Sequence, residues 1–344
     1  MSKTSIISIY DKSPKIAILE STFAARNKSQ ATGLVGSALS FVMHSLFKKA
    51  ELPLLILFRN KEEAAYYLND LEQLLNTEDV LFYPSSYRRP YQIEETDNAN
   101  ILLRAEVLNR INSRKKPAII VSYAEAIFEK VVTRKELEKN TLKLAVSDNL
   151  SIDFINETLF EYNFKRVDFV TEPGEFSVRG GIIDVFSFSN DNPYRIEFFG
   201  NEVDSIRSFD VETQLSIEKL KKISIIPNVE NKLLQESRES FLDYISEKTV
   251  IVIQNTESLG EQLDKLFSKA KEAFGALSSD IKHAPPEELF LNQKQFLRRA
   301  LDFSVVELQA KAVFKIDKAV EFHIQPQPSF NKQFDLLLNN LSEN

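Results

Sequence analysis

The stretch Gly33-Leu34-Val35-Gly36-Ser37-Ala38-Leu39-Ser40 runs into a helix-like pattern, SFVMHSLFKKA. Glycines, then a hydroxyl at a helix start, are ingredients of a phosphate-binding loop. Its pattern, G-x-x-x-x-G-K-[ST], uses glycines to form a nest of backbone N–H groups and a lysine to meet the β- and γ-phosphates. Aligned on Ser40, the second glycine position holds Ala38 and the lysine position holds Leu39. Leu39 cannot offset phosphate charge, and its apolar side chain seeks burial. The expectation is a loop that keeps the shape of a nucleotide site without its chemistry.

The composition removes other classes of chemistry. With no cysteine, disulfides, thiol catalysis, thiolate zinc sites and iron–sulfur clusters are excluded. The three histidines, His44, His283 and His323, lie far apart without metal-ligand spacing, so no metal site is expected. Eight glycines in 344 residues, against an ordinary share of about 7%, argue against a site built from several glycine-rich loops. A net charge of −7 opposes a chain-wide electrostatic glove for nucleic acid. The N-terminus, MSKTSIISIYDKSPK, lacks an apolar signal core, and no run approaches the ~18 apolar residues of a membrane span. A cytoplasmic protein with no membrane association is expected.

The elements that must hold this loop follow from periodicity. LPLLILF (52–58), DVLFY (79–83) and AIIVS (118–122) are short apolar runs suited to strands buried on both faces. Between them, Asn60 caps a helical pattern with Ala64, Leu68, Leu71 and Leu75 on one stripe, and Asp97 can cap NANILLRAEVLNRI. Strand alternating with helix predicts a parallel α/β sheet. After about residue 140 the pattern changes. SIDFINETLFEYNF reads as a helix, Pro173-Gly174 as a turn, and YRIEFF and EVDSIRSF as strands joined by Gly200-Asn201. TVIVI (249–253) then returns as a buried strand before a long amphipathic helix over 258–277. The predicted organisation is an α/β domain in two parts, residues 1–129 and 213–326, interrupted by an α+β insertion at 130–212, with 327–344 a linker or the start of another domain.

The segment FKRVDFVTEPGEFSVRGGIIDVFSFSNDNPYRIEFFGNEVDSIRSFDVETQLS (164–216) closely resembles the UvrB-homology module of bacterial transcription-repair-coupling factors (Mfd). It is more distantly similar to the excinuclease component UvrB. FYPSSYRRPYQIEETDNANILLRAEVLNRI and SFNKQFDLLLNNL extend the likeness over essentially the whole chain, as the N-terminal third of a longer family member. The resemblance implies a degenerate RecA/helicase-like parallel α/β domain carrying an inserted domain that binds UvrA, the partner of UvrB in excision repair. In UvrB-like relatives an Asp-Glu pair follows a buried strand and serves magnesium and water activation. Here Gln254 and Asn255 follow TVIVI; an amide binds magnesium poorly and cannot accept a proton as a general base. A non-catalytic fragment without cofactor is therefore expected, with Gly33, Gly36, Ala38, Leu39, Ser40, Gln254 and Asn255 as the remnant site. ATP and magnesium would belong to missing translocase domains. The rival expectation is a UvrB-like ATP-dependent DNA-binding or helicase domain that still binds nucleotide.

Carried over position by position, the resemblance makes Arg166, Arg179 and Glu197 the UvrA-binding residues, with Arg195 a neighbouring candidate. Ser177 stands where UvrB has a further arginine. Alternation along 194–199 places Tyr194, Ile196 and Phe198 toward a core and Arg195, Glu197 and Phe199 on the other face. The alternative is that these charges form intradomain salt bridges on a solvated sheet. The Gly180-Gly181 pair after Arg179 suggests a bulge or a close backbone approach. UvrB's aromatic DNA-clamping hairpin is replaced by the short SSYRRPYQIEETD. Tyr87, Tyr91, Arg88 and Arg89 are its only strand-binding candidates and acidic residues follow. Beyond UvrA, the resemblance implies contact with the parent's other domains in an autoinhibited state. RNA polymerase and double-stranded DNA would be reached through the missing domains.

Overall fold

The computed structural model describes residues 3–23, 26–86, 91, 98–113, 116–188, 190, 192–227, 238–277, 284–326 and 334–343. Helices α1 (Lys3–Asp11) and α2 (Pro14–Glu20) precede strand β1 (Lys28–Thr32) and helix α3 (Ala38–Ala50). Strand β2 (Leu54–Phe58) is buried at every position, as its unbroken apolar run requires. Asn60 caps α4 (Lys61–Leu74) by accepting the Glu63 N–H at 2.9 Å. Ala64, Leu71 and Leu75 of the expected stripe are buried, and Leu68 is half-buried. Strand β3 (Val80–Phe82), helix α5 (Asn98–Ser113), strand β4 (Ile119–Tyr123) and helix α6 (Ala124–Phe128) follow. Asp97, the expected cap of α5, lies outside the described residues.

Strand β5 (Val131–Val132) and helix α7 (Arg134–Lys139) still pack on the first core through Val131, Val132 and Leu137. The chain then leaves that core. Strand β6 (Leu142–Ala145) and helix α8 (Ile152–Glu161), capped by Ser151, lead into β7 (Lys165–Arg166), β8 (Glu175–Arg179), β9 (Ile182–Val185), β10 (Tyr194–Phe199), β11 (Glu202–Phe209), β12 (Ser216–Leu220) and β13 (Lys222–Ile225). Six of these strands form one sheet in the order β12-β11-β10-β9-β8-β7, while β13 pairs with β6. Every pairing in the six-stranded sheet is antiparallel except β7 with β8. Gly174, at φ +86, turns the chain after Pro173, and Phe199 pairs with Glu202 across the expected two-residue loop at Gly200-Asn201. Gly180 and Gly181 do not make a bulge, but the expected close approach is present, since a Cβ on Gly181 would meet the Phe198 backbone oxygen at 3.0 Å. Arg179 pairs directly with Ile182, so the glycines are the two-residue turn of a hairpin, with Gly180 at φ +59. Irregularities fall instead between Glu197 and Phe198 and between Ser208 and Phe209.

The chain returns through β14 (Arg238–Glu239), α9 (Phe241–Tyr244), β15 (Val250–Ile253), α10 (Thr256–Gly275), α11 (Pro286–Leu289), α12 (Gln293–Ala300), β16 (Ser304–Glu307), β17 (Lys318–Glu321) and α13 (Phe334–Glu343). The first sheet runs β17-β1-β16-β15-β2-β4-β3, all parallel. Strands from before and after the insertion interleave in it, with β15 lying between β2 and β16. The architecture is therefore one RecA-like parallel α/β domain interrupted by an α+β unit with its own core of residues such as Ile155, Phe176, Ile183 and Ile196. Among the described residues no helix is long and apolar enough to cross a membrane.

Candidate functional site

Two places gather the residues singled out by sequence. The first is the carboxyl edge of the parallel sheet, where open α/β folds place their ligands. Here β1 and β15 flank β16, so the loop after β1 and the Gln254-Asn255 pair after β15 stand one strand apart. Gly33 and Gly36 hold φ +71 and +56. A Cβ on Gly33 would meet the His323 backbone nitrogen at 2.8 Å, so this glycine allows two backbones to approach. Leu39 is buried in the first core, and buried Ser40 donates to Asp70 Oδ2 at 3.1 Å.

The amides opposite are also turned to their own chain. Gln254 Oε1 accepts from the Arg59 N–H at 3.2 Å, and Asn255 caps α10 by accepting the Ser258 N–H at 2.8 Å. Between them Glu307, at the end of β16, is fully buried. Its carboxylate accepts the backbone N–H groups of Val313 and Phe314 at 3.1 and 2.9 Å. Gln30 donates to the carbonyls of Gln309 and Ala310, both at 2.9 Å, and Gln309 accepts the Thr256 N–H at 2.7 Å. The segment after β16 is thus stapled across the sheet edge. Among the described residues no group of three or more histidine or acidic side chains is placed to hold a metal.

The second place is one face of the six-stranded sheet. Register puts Ser177, Asp184, Arg195 and Arg207 side by side across β8, β9, β10 and β11. Phe176, Ile183, Ile196 and Ile206 face the core behind them. Buried Asp184 accepts from Arg195 Nε at 2.7 Å and Nη2 at 2.8 Å, and also from Arg179 Nη2. Arg179 also donates to the Asp168 carbonyl at 3.0 Å and lies over the Phe169 ring. Arg195 lies over Phe209, and its hydrogen bonds to Asp184 hold its guanidinium even more firmly protonated than usual. Glu197 accepts from Arg207 and from Ser205 Oγ at 2.6 Å. Ser177 is buried and donates to the Asp168 carbonyl at 3.1 Å.

The structure therefore brings Arg179, Arg195 and Glu197 onto one face while engaging each in an intradomain ion pair. Arg166, on β7, is exposed, and its side chain makes no hydrogen bond or ion pair with the described residues. It shares with Arg179 a cleft of about 470 Å³ lined also by Val167, Asp168, Phe169, Ser177 and Val178. Two aromatics stand out into solvent, Phe199 at 83% and Phe169 at 65% exposure. Sequence reading missed Asp184, Arg207 and Phe169. An acid inside the apolar run IIDV was the available signal for Asp184, since a lone charge on a strand requires a partner.

Other sequence candidates fall elsewhere. Tyr91 is packed against Phe274 and Phe290, with its hydroxyl on the Ala284 carbonyl at 2.8 Å, so it is part of the fold and not an open stacking surface. Tyr87, Arg88, Arg89 and His283 lie outside the described residues. His44 is buried. Arg299 is half-buried and paired with Asp243 and Asp302, both at 2.6 Å.

Together, the interrupted parallel sheet and its charged insertion define a RecA-like domain carrying an inserted α+β unit. Residues 142–230 match the UvrB interaction domain. The chain is 33% identical over 213 residues to the transcription-repair-coupling factor of Bacillus subtilis, covering 62% of this chain and 18% of that protein. The corresponding protein of Myxococcus xanthus is 29% identical over 252 residues, covering 70% and 21%. The UvrABC system protein B of Clostridium botulinum strain 657 is 29% identical over 253 residues, covering 70% and 36%. The chain is thus similar, over 62% to 70% of its length, to transcription-repair-coupling factors and to a UvrABC system protein B. Its matches span only 18% to 36% of these relatives' own length.

Proposed function

We propose that this chain is a non-catalytic docking module that recruits UvrA during transcription-coupled nucleotide excision repair. The observation that carries the reading is the composition of one face within the UvrB interaction domain. Arg166, half-exposed Arg179 and the solvent-directed ring of Phe169 line one cleft there, and the ring of Phe199 is exposed at the end of β10. Arginine and large aromatics are the side chains that dominate protein interfaces. Glu197 and Arg195 complete the face from β10. A pull-down with UvrA, comparing wild type with Arg179→Ala and Glu197→Ala, tests the assignment. Retained binding in both folded variants would defeat it.

The same reading makes the carboxyl edge of the parallel sheet a relic. Leu39 supports this, because its side chain belongs to the core where a phosphate would need a cation. Gln254 and Asn255 support it as well, being committed to backbone N–H groups. The rival is a UvrB-like module that still binds nucleotide, and it is favoured by the positive φ of Gly33 and Gly36, which keeps part of a nest. Isothermal titration with Mg-ATP separates the two: no heat is expected, and micromolar binding would establish the rival. In the parent protein, contacts with RNA polymerase and double-stranded DNA, ATP hydrolysis and autoinhibition by packing against this region belong to the same proposal.

A further inference from the structure

We infer that Asp184 is the positioning residue of the docking face, holding Arg179 and Arg195 in the orientations they present to UvrA. The inference rests on the docking reading above and adds to it a residue that does not itself reach the surface. Asp184 is 1% exposed, and a carboxylate at that depth is tolerated only with its charge met and its lone pairs filled. Arg195 meets one side of it with a two-pronged contact through Nε and Nη2, at 2.7 and 2.8 Å. Arg179 closes the other side through Nη2 while its Nη1 reaches the Asp168 carbonyl. Each guanidinium also lies over a ring, Phe209 under Arg195 at 4.4 Å and Phe169 under Arg179 at 5.4 Å.

Each arginine is thus held by a carboxylate edge and an aromatic face before any partner arrives. The entropy of ordering two long side chains is lost on folding, and docking need not supply it again. Arg166, which lines the same cleft as Arg179, has no such support among the described residues.

Charge and position make opposite predictions here, which gives the inference a sign. Arg179, Arg195 and Asp184 together carry a net charge of +1, and Asp184→Asn raises it to +2. If charge alone drew an acidic partner, that variant would bind more tightly. If position governs, the arginines lose their anchor and the complex falls apart faster, while association stays equal or quickens.

The test is the kinetics of UvrA binding to the full chain by surface plasmon resonance, at a temperature where circular dichroism shows each variant folded. Asp184→Asn should dissociate about tenfold faster. Arg179→Lys keeps the charge and leaves Asp184 paired with Arg195, yet a lysine cannot grip Asp184 and the Asp168 carbonyl together. It should likewise dissociate faster, and it carries the test if Asp184→Asn does not fold. Unchanged or tighter binding in either variant, with Arg166→Glu weakened, would overturn the positioning role and leave the docking face standing. Unchanged binding in both Arg166→Glu and Arg179→Glu would overturn the docking face itself, and this inference with it.

Discussion

At the carboxyl edge of the parallel sheet, polar side chains turn inward to their own backbone. On the outer face of the inserted sheet they turn to one another and to solvent. Glu307 accepts two successive backbone N–H groups and staples a loop across the place where an α/β fold would seat its ligand. Asp184, equally buried, accepts instead from two arginine side chains, and one of these remains 41% exposed. A carboxylate spent on backbone closes a site, whereas one spent on arginines builds a surface. The two regions teach that burial of an acid does not identify function; what matters is where its partners lead.

The comparison breaks most sharply if surface charge proves unimportant. The double variant Arg166→Glu/Arg179→Glu should lose UvrA affinity by about a hundredfold, on the order of 2.7 kcal/mol, in isothermal titration. Leu39→Lys, at the other region, should leave that affinity unchanged. A smaller effect is expected at the staple. Glu307→Gln weakens bonds to buried N–H groups and should lower stability by roughly 1–3 kcal/mol in urea denaturation, with UvrA affinity per folded molecule preserved. A parallel fall in affinity would show the regions to be coupled. The smallest expected change is Phe199→Ala, because a ring at 83% exposure holds little of the fold. Stability should move by no more than about 0.5 kcal/mol, while UvrA affinity drops about tenfold, near 1.4 kcal/mol.

Much of the fold was legible where apolar runs are unbroken. LLILF, IIVSY and VIVI became three neighbouring strands of the parallel sheet. Strand β1, KSQAT, was not legible, although it lies inside the same sheet. Its Lys28 is buried with the ammonium donating to the carbonyls of Arg26, Leu301 and Phe303, and burial pushes its pKa down. The last two of those partners come from about 275 residues away, so no local pattern could announce them. The candidate face had the same limit. Alternation correctly put Arg195 and Glu197 opposite a core, but the pairing of each with Asp184 and Arg207 depends on strand register, which brings together residues that sequence keeps apart. Gly180-Gly181 offered two readings: the close backbone approach is present at Gly181, whereas the bulge is a hairpin turn, and only pairing of Arg179 with Ile182 separates bulge from hairpin.

Amide hydrogen exchange of the full chain, with and without UvrA, tests the central claim most directly because it reads both regions at once. The account predicts new protection across Arg166–Arg179 and Tyr194–Glu202, and none across Gly33–Ser40 or at Gln254 and Asn255. Protection confined to the loop after β1, with the inserted sheet unchanged, would contradict it.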